Sequence, residues 1–148
     1  MANFVFNISL AKFGSTISNL PGANDAIIFV PIETSGLEAD STLRDYDDLS
    51  ALLAGSSNEQ TTAGRKTVTS VTPTVDDTAN NFTLDCADQV YTSIAASNAI
   101  SAFVIGYDAD TTAGTDSNVT VISKHDVSWT PDGSTMTLGV ANFASASS

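Results

Sequence analysis

A chain of 148 residues is the size of one domain, and at that length roughly 68–70% of the unfolded surface is buried on folding, enough for one core without staples. Five Lys and Arg against 17 Asp and Glu leave a formal charge of −12, which repels phosphate backbones and anionic lipid and argues against nucleic-acid and membrane partners. Charged residues make up only 15% of the chain, so the polar surface falls to Ser, Thr and Asn, a composition that suits strands and turns.

The opening alternates: Phe4, Phe6, Ile8 and Leu10 fall on one parity, a period of two that predicts a half-buried strand. Such a strand pairs within the domain or on a neighbouring molecule, and residues 1–13 are a candidate docking strand for β-augmentation. No positive n-region or long apolar run precedes it, which predicts cytoplasmic synthesis without a secretion signal, and no stretch has the length of a membrane span.

Residues 19–25 read as a turn, and Ala26–Ile32 as a strand apolar on both faces, with Pro31 marking its end or an edge. Leu43, Tyr46, Leu49, Leu52 and Leu53 form one apolar stripe at helical spacing, with Asp40 or Ser41 as the cap and Gly55 as the stop. This predicts one short helix over about residues 41–54, with Asp45, Asp47 and Asp48 on its solvated face. After a polar loop, the Thr- and Val-rich run 66–75 predicts an edge or bulged strand around Pro73, and residues 76–81 a turn into the Phe82–Cys86 strand. Ala99–Tyr107 is apolar on both parities and predicts a central strand.

Val119, Val121, Ser123, His125, Val127 and Trp129 share one parity. Pro131–Gly133 makes a turn, and Met136, Leu138 and Val140 resume the alternation, which predicts a closing hairpin. The tail 141–148 is weakly patterned. The fold class is therefore mainly β: a single β-sandwich or barrel-like domain, residues 1–148, with no internal repeat.

Each candidate for chemistry has a plainer reading beside it. The run 108–118 offers Asp108, Asp110, Asp116 and Asn118, but a hand-type calcium loop counted from Asp108 puts Ala113 where glycine belongs and Val119 where the bidentate Glu belongs. A looser calcium site on Asp108, Asp110 and Asp116 stays open beside the default of a solvated turn. His125 and Asp126 are neighbours on a strand and point to opposite faces, so they do not orient one another as a dyad. Cys86 stands alone, in phase with Phe82 and Leu84, and reads as a buried thiol. The carboxylate pairs Asp47 and Asp48, Asp76 and Asp77, and Asp85 and Asp88 accompany one Trp and three Tyr, few aromatics for a sugar-binding groove. No metal, cofactor or catalytic residue is predicted, and the protein is expected not to be an enzyme.

The segments NDAIIFV (24–30), SGLEADSTLRDYDDL (35–49), GRKTVT (64–69), TVDDT (74–78) and YDADTTAGTD (107–116), with the WTPDG turn (129–133), span most of the chain in order. They resemble a family of small structural proteins encoded near the head genes of tailed bacteriophages, notably those of actinobacteria. The opening, Phe4 to Phe13, departs from that family's more polar start. The resemblance implies a non-enzymatic virion component: a capsid decoration or stabilising protein on the outside of the major capsid lattice, with the major capsid protein as partner and a homo-oligomer on the shell. A tail-tube or tail-adaptor subunit is the structural alternative, and a calcium-dependent or glycan-binding β-module the alternative of another class. The residues expected at a capsid or subunit interface are Phe4, Phe6, Ile8, Leu10, Arg65 and Lys66.

Overall fold

A computed structural model describes residues 3–6 and 22–147. The expected mainly-β domain is what it shows. A five-stranded antiparallel sheet forms the middle layer, in the order β1 (Phe4–Val5), β8 (Val119–Trp129), β7 (Ile100–Asp108), β2 (Ala26–Glu33), β3 (Lys66–Val68). On one face lie a three-stranded sheet, β10 (Ala144–Ser147), β5 (Asn81–Cys86), β4 (Val71–Asp76), and a two-stranded ribbon of β6 (Gln89–Tyr91) and β9 (Met136–Leu138). The other face carries two short helices, α1 (Asp40–Leu43) and α2 (Leu49–Ala54).

This layering accounts for the doubly apolar strands. Ile27, Phe29, Phe103 and Ile105 join Leu84, Tyr91, Leu138 and Phe143 in one core, while Ile28, Val30, Ile32 and Val104 join Leu43, Leu49 and Leu52 in a second. Both faces of β2 and β7 are covered, so neither strand has a polar parity. Pro31 lies past the stretch of β2 that β3 covers, and its carbonyl accepts from Gln60 N–H at 2.9 Å. Its missing N–H falls on that same side, away from β7, so no ladder bond between β2 and β7 is lost.

Two expectations need correction. The single helix is two helices, because the chain leaves helical geometry between them and Asp48 restarts it. The Asp48 backbone is extended, with φ −142°, and its carboxylate accepts from Ala51 N–H at 2.8 Å. Asp48 is therefore an N-cap rather than part of a continuous outer face.

The closing hairpin is also absent. Pro131–Gly133 does turn, with Gly133 at φ +95°, but it carries the chain out of one sheet into another, where β9 pairs with β6. The long hairpin is β7–β8 instead, and its connection is the aspartate-rich run that opens after Asp108 and ends at Val119.

The shared parity along β8 fails for a related reason. Ile105 opposes Ser123 and Gly106 opposes Val121, so Ile122 is an extra residue in the ladder, a bulge that reverses the facing of everything after it. Val119 and Val121 belong to the helix-side core, whereas Val127 and Trp129 pack on the other. Gly106 sits at the bulge because a Cβ there would lie 2.7 Å from Val119 Cγ1 and 3.2 Å from Thr120 O.

Candidate functional site: a groove between two sheet edges

Strand β1 is an edge of the central sheet and β10 an edge of the three-stranded one, and the two border a single groove of about 370 Å³. Asn3, Phe4 and Val5 line one side; Asn142, Ala144 and Ser145 line the other. Gly139 and Ala141 leave it open, and His125 with Phe143 also contribute to its walls.

Each wall is fixed by specific contacts. Phe6 N–H donates to Ile122 O at 2.9 Å, and Asp126 N–H donates to Asn3 Oδ1 at 2.8 Å, so β1 is held to β8 from both ends. Phe4 packs against Phe6 with ring centroids 5.2 Å apart, and the Arg44 guanidinium lies 4.7 Å from the Phe4 centroid. On the opposite wall, Val140 N–H donates to Asp88 Oδ1 at 2.9 Å, and Asn142 adopts φ 53°, a left-handed turn that swings Phe143 inward before β10 begins. Phe143 and Ala144 are buried, so this part of the tail is anchored in the core.

The titratable group in the groove is the half-buried His125. Its Nε2 lies 3.0 Å from Phe143 O and 3.3 Å from Ser123 Oγ. A carbonyl only accepts, so Nε2 carries the proton. Asp126 instead hydrogen-bonds Lys124, whose ammonium lies over the Phe4 ring in the helix-side layer; the two neighbours face opposite ways.

Of the described residues expected at an interface, Phe4 and Phe6 pack together, while Arg65 and Lys66 lie away from them. Phe4 and Phe6 are buried in the helix-side core, so their side chains are covered by their own domain. Ile8 and Leu10 lie outside the described residues. Arg65 and Lys66 stand by β3, the far edge of the central sheet, and both are engaged internally. Arg65 bonds Glu59 at 2.6 and 2.8 Å and Asp116 at 2.6 and 3.0 Å, while Lys66 Nζ lies 5.2 Å from the Tyr91 ring centroid.

The other acidic candidates are spent locally. Asp108 Oδ1 accepts Asp110 N–H at 3.0 Å, Asp110 Oδ1 accepts the Thr112 hydroxyl at 2.6 Å and Thr112 N–H at 3.0 Å, and Arg65 holds Asp116. The Thr112 hydroxyl and N–H hold the Asp110 carboxyl, and Arg65 the Asp116 carboxyl, below the ordinary carboxylate range. Asp85 accepts Cys86 N–H at 2.8 Å, and burial together with Asp85 and Asp88 pushes the Cys86 thiol up to about 11. Among the described residues, no group of three or more His, Cys, Asp or Glu side chains is placed to hold a metal ion. No described helix is long and apolar enough to cross a membrane.

Sequence reasoning missed the groove because half of it comes from the tail. The available signal was Phe143, a lone large apolar residue three positions after Val140, at a spacing that suits neither a strand nor a frayed end. No family model matches the chain, and no curated protein or solved structure matches it.

Proposed function

We propose that this protein is a non-enzymatic structural component of a virion: a capsid decoration or stabilising protein that docks on the outside of a tailed-phage major capsid lattice and lies there as a homo-oligomer. The observation that carries the reading is the groove in which the edges β1 and β10 meet. Unpaired strand edges take an extended segment of another chain by backbone hydrogen bonds, and small residues such as Ala141, Ala144 and Ser145 let that backbone approach. Many equivalent copies on a lattice then hold through repeated modest contacts, which demands a rigid scaffold rather than a deep catalytic pocket. The charge of −12 supports a basic protein surface as partner over nucleic acid or anionic lipid.

The test has two parts. Fractionated particles should carry the protein with the major capsid protein; recovery in isolated tails would favour a tail-tube or tail-adaptor subunit, and absence from particles would end the proposal. Ala141→Trp, which fills the groove from an exposed position, should cut occupancy on purified capsids at least tenfold while leaving the melting temperature unchanged. Undiminished occupancy would move the docking surface elsewhere.

A further inference from the structure

Lys124 is the least expected side chain of the molecule. Its side chain has 0% exposure, and its ammonium is hydrogen-bonded to Asp126 Oδ1 and lies 3.1 Å from Asp40 Oδ1. The two carboxylates are 22% and 24% exposed, and the Phe4 ring centroid is 5.4 Å from Nζ. A lysine facing two carboxylates beneath an aromatic ring, with the apolar Phe6 and Leu43 in the same layer, meets the requirements for forming an amide. The amine is held 3.1 Å from a carboxyl oxygen of Asp40, a second carboxyl is in place to carry protons, and bulk water is kept from the nitrogen.

We propose that Lys124 and Asp40 become joined by an intramolecular amide bond after folding, with Asp126 as the catalytic carboxyl. Asp126 relays one proton from the ammonium to Asp40, so that a neutral amine faces a neutral carboxylic acid, and it takes up the second proton as the nitrogen attacks. Nζ then attacks Asp40 Cγ; the new C–N bond forms and one C–O bond breaks. The two protons lost from nitrogen leave with that oxygen as a single water, Asp126 returning the one it carried. The products are a neutral amide and an unchanged Asp126 carboxylate, so charge and atoms balance without an oxidant, a metal or a cofactor. Burial supplies the direction, since the charges in this layer fall from one fully buried ammonium and two carboxylates to the single, partly exposed Asp126 carboxylate. Asp40 is assigned as the acyl partner because its carboxyl belongs to a different element. Asp126, two residues from Lys124 on the same strand, already holds the hydrogen bond that a proton carrier needs. The bond would fasten the helix layer to the central sheet, and it does not depend on the docking proposal.

The experiment is intact-mass measurement on the purified full chain, followed by peptide mapping. The protein should weigh about 18 Da less than its sequence, one water, and a protease digest should contain the Lys124 peptide linked to the Asp40 peptide. A succinimide at Asp132–Gly133 would give the same mass loss, but hydroxylamine opens a succinimide and leaves an amide intact. Lys124→Arg and Asp40→Ala should restore the sequence mass, Asp126→Asn should lower the linked fraction at least tenfold, and Asp40→Asn should condense with loss of ammonia, about 17 Da. A wild-type chain at full mass, or a water loss mapped to any other pair including Lys124 with Asp126, overturns the proposal. That measurement needs no variant to fold.

Discussion

Arg65 and Asp116, 51 positions apart, meet through two hydrogen bonds of 2.6 and 3.0 Å, and the same guanidinium grips Glu59. One side chain thereby ties the loop before β3 to the 3-10 turn at Asp116–Asn118 that leads into β8. All three groups keep partial solvent contact, so Arg65→Ala should cost roughly 1–2 kcal/mol at neutral pH after screening. Arg65 lowers the Asp116 pKa in the folded state, so the pair's contribution is full above the ordinary carboxylate range and is lost as pH falls through the lowered value. Urea titrations of wild type and variant should therefore show a steady gap above about pH 4 that closes as pH falls below it. An equal gap at every pH would show that packing, not charge, sets the effect.

Gly106 and Val119 are packed so closely that any side chain at 106 must displace the valine or the backbone. Gly106→Ala should destabilise by about 1–3 kcal/mol, read from the denaturant midpoint. Val119→Ala opens space at the same point, so the double variant should lose less than the sum of the two single losses. Strict additivity would mean that the clash is relieved elsewhere.

Phe6 has no exposed surface. If β1 is a core strand of its own domain, Phe6→Ala costs about 3–5 kcal/mol of stability in the isolated protein. An arm used only for docking would leave the melting temperature unmoved and change capsid binding alone. Deleting the first residues would in the same way open the helix-side core rather than free an intact domain.

Cys86 is buried, with its thiol pushed up to about 11. A disulfide reagent at pH 8 should modify it only as the chain unfolds, in step with the denaturation curve. The fold favours the protonated thiol, so its contribution is present below the ordinary thiol range and declines as pH climbs towards about 11. Immediate, complete modification of the native protein would contradict this burial.

Legibility in the sequence followed the range of the interaction concerned. The doubly apolar runs at Ala26–Ile32 and Ala99–Tyr107 carried their central placement openly, because burial on both faces leaves its mark on every residue. The Phe82–Cys86 strand, with Phe82, Leu84 and Cys86 all directed to one core, was equally plain. The break between α1 and α2 was not, since an apolar stripe continues across Arg44–Asp48 while Asp48, a good cap, interrupts the backbone beneath it. Which strand follows Pro131–Gly133 into which sheet is decided by pairing with Gln89–Tyr91, far away in the chain, and a turn motif carries no information about that. The groove depended on two ends meeting through Phe143 and His125, and the pairing of Arg65 with Asp116 is likewise invisible to any local pattern.

The extra residue at Ile122 has a genetic corollary. Upstream of it, odd-numbered positions of β8 face the helices; downstream, Lys124 and Asp126 take over that role. Removing the Ile122 codon would leave Val121 and Ser123 consecutive opposite Gly106 and Ile105, so the ladder closes over the gap and Lys124 and Trp129 keep their sides. A one-residue insertion farther along would instead turn the remainder over and carry Trp129 towards the helices. For this strand, the bulge is the place where a lost residue is absorbed.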